Sequence, residues 1–337
     1  LDLKLLLKRG ALLAAANWQT VAIQFAAQTT FQVLLAVPII GAAILVAVTL
    51  GGDLANLLQG SLRDVFSTIT DSLLGEPVAL LAFVSAFSIV LAGGSVFMFL
   101  VKGGTIDVLV SANDTAGSIE REPITFESLR SAAVFSLPRF MQGCRRLFRR
   151  FLALGVGLML VYALSAAAYL TFIVLGYRTA GTDEGVLGWA FIAALSAVAL
   201  VLWITVINLL YLLMQIAIAI ENVGLPDAGR AVGRFVRAEY RELGGVFLVV
   251  FGMVVAATLA SALAWSGVGL IAFVPLVGLA VFPLQIVALL LRGLVFEYIG
   301  LTALGAYVTL YRRRARQLGS AALEGAPVNS GARLTNA

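Results

Sequence analysis

Five long stretches of the chain contain no Asp, Glu, Lys or Arg: 10 to 52, 77 to 101, 151 to 177, 185 to 220 and 243 to 291. A helix needs about 20 consecutive apolar residues to cross a hydrocarbon layer, so each stretch is long enough to hold a span. The first opens on the polar run NWQTVAIQFAAQTTFQ, which suits a partly interfacial or packed helix, and becomes strongly apolar only from Phe31 to Leu50. The last runs from Val246 to Trp265, passes through the Gly- and Pro-punctuated SGVGLIAFVPLVGLAVFP, and resumes past Arg292 to Tyr307. The pattern predicts an all-α polytopic membrane protein with six transmembrane helices, near 31–50, 77–101, 151–177, 186–220, 246–265 and 281–307. These make one domain over residues 1–316. The remaining tail, 317–337, is small, polar and aperiodic, and is expected to be disordered.

The segments between spans carry a helical period. In DLANLLQGSLRDVFSTITDSLL, residues Leu54, Leu57, Leu58, Leu62, Val65, Phe66, Ile69 and Leu73 recur at three- and four-residue spacing, opposite Asp53, Asp64 and Asp71. This predicts an amphipathic helix on the outer surface. SLRSAAVFSLPRFMQGCRRLFRRF and AGRAVGRFVRAEYREL are amphipathic and arginine-rich, the composition of helices lying on an anionic leaflet. Arg130, Arg145, Arg146, Arg149, Arg150, Arg230, Arg234 and Arg237 are the candidate headgroup contacts. The two segments align at an offset of 100, pairing Arg130 with Arg230, Phe135 with Phe235 and Glu127 with Asp227. With LKRGALLAAANWQTV as a fainter copy, the chain reads as three units of interfacial helix plus hairpin.

Charge fixes the orientation, because cytoplasmic flanks retain Lys and Arg. Six crossings put the N-terminal segment, the 102–150 and 221–245 loops and the C-terminal tail on one side, with 20 of the 23 basic residues. A seventh helix built from Gly267 to Ala280 would send Arg312, Arg313, Arg314 and Arg316 to the other side. That segment is therefore read as a re-entrant or interfacial piece. The resulting location is a bacterial-type inner membrane with both termini cytoplasmic. The chain opens on Leu1 rather than Met, so its native N-terminus is expected to be processed or longer; Lys4, Lys8 and Arg9 precede an apolar run too long for a removable signal.

Composition narrows the chemistry. The chain is 61% hydrophobic and 12% charged, and it has no histidine, which removes the commonest general base and a principal haem and zinc ligand. The single cysteine, Cys144, permits neither an intrachain disulfide nor a thiolate cluster and is read as structural. No phosphate-binding loop, dinucleotide fingerprint or nucleophile motif is present, and no cofactor or metal is expected. The sequence pI of about 9.6 reflects basic residues on one membrane face, so anionic lipid rather than nucleic acid is the expected partner.

Arg292 and Glu297 stand inside the last span. A separation of five residues sets them about 140° apart on a helix, so they cannot pair with each other and each needs its own partner. A charge at such depth faces the bundle or a water-filled cavity. Two readings stay open: an ion, proton or anionic-ligand path, or a structural network with polar residues of other helices, namely Asn208, Gln215 and the stripe Gln24, Gln28 and Gln32. Glu221, at the end of the fourth span, reads as a boundary residue.

The arginine-bearing stretches SLRSAAVF and AGRAVGRF ahead of helix pairs resemble those of six-helix bacterial membrane proteins. These include the membrane domain attached to some glycerophosphodiester phosphodiesterases, and the likeness covers residues 120 to 312. It implies a six-helix membrane fold and brings no catalytic residue, since the phosphodiesterase domain works with histidines that this chain lacks. The expected role is a non-enzymatic membrane protein that organises lipid or partner proteins as a scaffold or accessory subunit of a larger complex. The alternative is a small transporter or channel using Arg292 and Glu297. The topology is checked by labelling: cysteines introduced at Asp71 and Glu184 are expected to react from outside, and those at Glu122, Glu239 and Gln317 are not. External labelling at Gln317 would rule out six spans.

Overall fold

The computed structural model of the chain describes residues 2–50, 75, 77–123, 125–180, 183–272 and 275–324. Among these, eight helices run in the order α1 (Leu3–Ala16), α2 (Trp18–Leu50), α3 (Pro77–Thr115), α4 (Phe126–Ala132), α5 (Leu137–Ala180), α6 (Asp183–Glu221), α7 (Leu225–Ala272) and α8 (Pro275–Glu324). Six of them, α2, α3 and α5 to α8, are long and apolar enough to cross a membrane. The protein is an all-α multi-pass membrane protein. Contacts between α2 and α3, α3 and α5, α5 and α6, α6 and α7, α7 and α8, and α8 and α2 close the six into a ring. Helices α3, α6 and α8 also touch one another across it, while α1 lies against α8 and α4.

Packing is concentrated toward the arginine-rich end of the bundle. The buried residues of α3 lie between Ser95 and Asn113, and those of α6 and α8 between Tyr211 and Ala219 and between Ile299 and Tyr311. Toward the opposite end, Leu81, Leu170, Leu195, Leu259 and Leu284 point outward, an apolar surface that only lipid or another membrane-embedded chain can cover. Close crossings hold the packed end. A Cβ at Gly104 of α3 would come within 2.7 Å of both Cys144 Sγ and the Phe140 ring of α5. One at Gly10 of α1 would overlap the Thr302 carbonyl oxygen of α8. Small residues at such points let helix backbones approach.

Helix α1 is amphipathic, with Leu6, Leu13 and Ala14 buried, and its N-cap Asp2 accepts a hydrogen bond from the Lys4 amide. Its polar anchor is Arg9, which is 8% exposed. Arg9 Nη1 donates to Glu120 Oε2 at 2.5 Å and to the Gly117 carbonyl at 2.6 Å. Its Nε and Nη2 reach Asn113 Oδ1 and the Asn113 carbonyl, both at 2.8 Å. Thr309 Oγ1 of α8 donates to the same Asn113 Oδ1 at 3.0 Å, so one buried knot ties α1, α3 and α8. At the elbow between α1 and α2, Asn17 is fully buried. Its Nδ2 donates to the Leu13 and Ala132 carbonyls, each at 3.0 Å. Its Oδ1 accepts from the Val134 and Phe135 amides at 3.0 and 3.1 Å. All four hydrogen-bonding positions of the amide are filled, and the elbow is fastened to the link between α4 and α5.

The structure changes several sequence expectations. Helix α3 continues past Val101 to Thr115, so Lys102 belongs to a helix and not to a loop; Gly103 and Gly104 stay helical because they form the α5 crossing. The basic segment 128–151 divides into α4 and the start of α5, which runs unbroken into its span. The 228–243 segment is the first part of α7, set off by non-helical angles at Glu239 (φ −120°, ψ 26°). The stretch from Gly267 to Ala280 is not a separate re-entrant piece: α7 runs to Ala272 and α8 starts at Pro275, a first-turn position that suits proline. Helix α8 also extends to Glu324, beyond the expected start of the disordered tail. The outer amphipathic helix of residues 53–73 and the tail from 325 onward lie outside the described residues. The element order is that of three units of helix plus hairpin, yet the aligned arginines differ in role. Arg9 is buried, Arg130 is exposed, and Arg230 pairs with Asp227 beside it on the surface.

The Arg9 knot yields a stability prediction. Arg9→Ala leaves Glu120 buried without its cation and is expected to cost about 3–5 kcal/mol, whereas Arg9→Met combined with Glu120→Leu removes both charges and should cost far less. Thermal unfolding of the detergent-solubilised protein measures both. An unchanged melting temperature for Arg9→Ala would contradict the buried pair.

Candidate functional site: an intramembrane polar cavity

Inside the ring, within the packed part of the bundle, lies a cavity of about 350 Å³ walled by α2, α3, α6, α7 and α8. Its polar groups come from four helices. Helix α6 contributes Asn208, Tyr211 and Gln215, whose spacing of three and four residues puts them on one face. Helix α3 contributes Lys102 and Thr105, α2 contributes Gln24, and α8 contributes Glu297 beside the gap left by Gly300. Phe247 and Val250 of α7 close an apolar wall. The volume falls in the range of small-ligand sites.

The polar groups are only partly matched to one another. Thr105 Oγ1 donates to Gln24 Oε1 at 2.9 Å, and the Tyr162 hydroxyl of α5 donates to Asn208 Oδ1 at 2.5 Å. The Lys102 ammonium lies 5.5 Å from the centroid of the Tyr211 ring, a cation–π contact. Lys102 and Glu297 interact electrostatically, but they do not close into an ion pair and Glu297 accepts no hydrogen bond among the described residues. Gln215 is fully buried, and neither its Oε1 nor its Nε2 has a hydrogen-bond partner; the buried Tyr211 hydroxyl has none either. A buried polar atom left in this state costs about 1–3 kcal/mol. The cavity thus presents a lysine and a glutamate that do not pair, with the unpartnered Gln215 amide sealed in its wall.

The sequence pointed to much of this site and missed its cation. Glu297, Asn208, Gln215 and Gln24 converge on the cavity, whereas Gln28 and Gln32 do not line it; Gln28 is half-buried and Gln32 faces outward. Arg292 is also elsewhere. It is exposed, with its guanidinium 5.7 Å from the Phe296 ring centroid, and it lines an apolar groove of about 360 Å³ between α7 and α8. The angular separation that keeps Arg292 from pairing with Glu297 also sends it to a different environment, so the proposed network of Arg292 with Asn208 or Gln215 does not form. By sequence Lys102 falls in a cytoplasmic loop, because a charge normally marks the end of a span. The clue in the sequence was that apolar residues continue beyond it as Ile106, Val108, Leu109 and Val110.

Among the candidate headgroup contacts, Arg130, Arg145, Arg149, Arg234 and Arg237 are surface residues that form no ion pair among the described residues. Arg146 pairs with Asp107 at 2.5 Å, Arg230 pairs with Asp227 at 2.6 Å, and Arg150 Nη1 donates to Asn222 Oδ1 at 2.6 Å. Asn222 has φ 54°, a left-handed conformation that Asn tolerates at a helix end, so Arg150 secures the turn from α6 to α7. Among the described residues no cluster of three or more His, Cys, Asp or Glu could hold a metal.

Comparison with protein-family models, curated proteins and solved structures finds no match to this chain. The class, an all-α multi-pass membrane protein, rests on the helices themselves.

Gln215 gives a direct check on the cavity. Because its amide is unpartnered, Gln215→Leu removes a desolvation cost and is expected to hold or raise the melting temperature in detergent, by up to about 1–3 kcal/mol of stability. A clear loss of stability would mean that the amide is bonded in the folded protein.

Proposed function

We propose that the protein binds a small polar solute within the membrane and conducts it through the bundle, acting as a small transporter or channel. The observation that carries this reading is Gln215, fully buried, with both amide atoms unpartnered, lining the same cavity as a lysine and a glutamate that do not close on each other. A purely structural network in hydrocarbon would satisfy its polar atoms internally, because open ones are costly there. The pair of opposite charges suits a zwitterion, or an ion accompanied by its counter-charge. The excess of basic residues at one end supports a bacterial-type inner membrane with that end in the cytoplasm.

A second reading, the scaffold or accessory subunit that organises lipid or partner proteins, is favoured by the exposed arginine and apolar groove between α7 and α8. The two are separated by function in vesicles. The purified protein, reconstituted in proteoliposomes, is expected to move protons, monovalent ions or a zwitterionic amino acid. Glu297→Gln and Lys102→Met should each reduce that flux at least tenfold with an unaltered melting temperature. A parent protein that moves none of these probes, and whose melting temperature none of them shifts, would remove the transport reading and leave the organising one.

A further inference from the structure

We propose that the groove between α7 and α8 docks a transmembrane helix of a different protein, one that carries a carboxylate where it meets Arg292. Arg292 faces outward and makes no hydrogen bond or ion pair among the described residues; its contact is the ring of Phe296. A guanidinium facing hydrocarbon is expensive and finds an anion or water in the assembled state. The surrounding groove is largely apolar and does not supply one: besides Arg292, the polar groups on its described walls are those of Ser261, Gln285 and the Trp265 indole, none of them anionic.

Depth separates the two sources of an anion. Trp265 lines the far end of the groove with Leu284, and tryptophan concentrates at the membrane–water boundary. At 1.5 Å per residue, Arg292 lies about 12 Å inward from Leu284 and about 30 Å from Arg312. A lipid phosphate stays outside the hydrocarbon layer. The guanidinium, moreover, stays over Phe296, one turn further from the Trp265 end. A carboxylate on a transmembrane helix can sit at that level; a headgroup meets the arginine only by thinning the bilayer.

The groove also has the surface that a helix needs. Ala257, Ala260, Ser261 and Ala264 form a ladder of small residues along α7, which lets a neighbouring backbone approach closely. A second copy of this chain is a poor occupant. A symmetric contact through the groove would set Arg292 against its own counterpart. Between residues 243 and 307 the one acidic residue is Glu297, and it lines the interior cavity.

The test uses the full chain, fluorescently labelled, in phosphatidylcholine vesicles. The probes are synthetic Leu/Ala helices of about 20 residues with a central Glu, Gln or Lys, and energy transfer reports association. The Glu helix is expected to bind at least tenfold more tightly than the Gln helix. Arg292→Met should erase that preference, Arg292→Glu should transfer it to the Lys helix, and Ala260→Leu, which keeps the charge and fills the groove, should weaken the Glu helix about tenfold. Glu297→Gln should leave the preference intact, which keeps this result independent of the cavity. Equal binding of the Glu and Gln helices, or a preference that survives Arg292→Met, would overturn the proposal. So would loss of the preference on adding phosphatidylglycerol, together with retention of labelled phosphatidylglycerol by the parent but not by Arg292→Met, since the occupant would then be a headgroup.

Discussion

The buried guanidinium of Arg9 holds the packed end of the bundle together. It spends its donors on Glu120, on Asn113 twice and on the Gly117 carbonyl, and Asn113 in turn accepts from Thr309. An arginine can do this because its planar fork offers five donors in fixed directions. Gly10, one residue on, removes the side chain that would keep α1 away from α8, so the knot and the close approach depend on neighbouring positions. Around it, Arg312 pairs with Asp114 at 2.6 Å and Arg313 with Glu242 at 3.5 Å. Basic residues that orient the protein in the membrane thereby also stitch its helices.

This firm end also fixes the walls of the cavity. Polar groups that are held loosely find each other and neutralise. Here Lys102 and Thr105 are carried by the part of α3 that is locked to α5 through Gly103, Gly104 and Gly143, while Gln215 sits on the buried stretch of α6. The frame holds Lys102, Gln215 and Glu297 on three different helices around the cavity without closing a salt bridge between the charged two. Further from the basic end the helices share fewer buried residues, and lipid or partner chains complete the packing.

Six spans were legible because charge interrupts apolar runs, and charge is the one feature hydrocarbon penalises enough to set boundaries. The same rule misled at Lys102, since a lysine beside an apolar run ordinarily lies outside it, and only tertiary contact with Tyr211 and the glycine crossing keeps it within. Glu297, Asn208, Gln215 and Gln24 were recognisable as polar residues in apolar surroundings; which of them meet depends on helix rotation, set by packing. Nothing in the sequence singles out Arg9, Asn17, Asn113 and Glu120 as buried partners, since Arg9 stands in a basic flank and Asn113 and Glu120 in the 102–150 loop. They meet through contacts between segments more than a hundred residues apart, with α8 closing over them from almost three hundred residues away, and no local pattern contains these.

That separation has a consequence for biosynthesis. Helix α1 leaves the ribosome well before α8, yet the Ala11 carbonyl accepts from the hydroxyl of Tyr298, 287 residues later, and Thr309 of the Arg9 knot is later still. At roughly 5–20 residues per second, the wait for that partner is roughly 15–60 s. Throughout it, α1 is held by its earlier contacts alone, Arg9 on Asn113 and Glu120 and Asn17 on the link between α4 and α5, while the face that meets α8 stays uncovered. The seat of α1 is therefore completed in two stages, its polar anchors once α3 to α5 are in place and its apolar face only when α8 arrives.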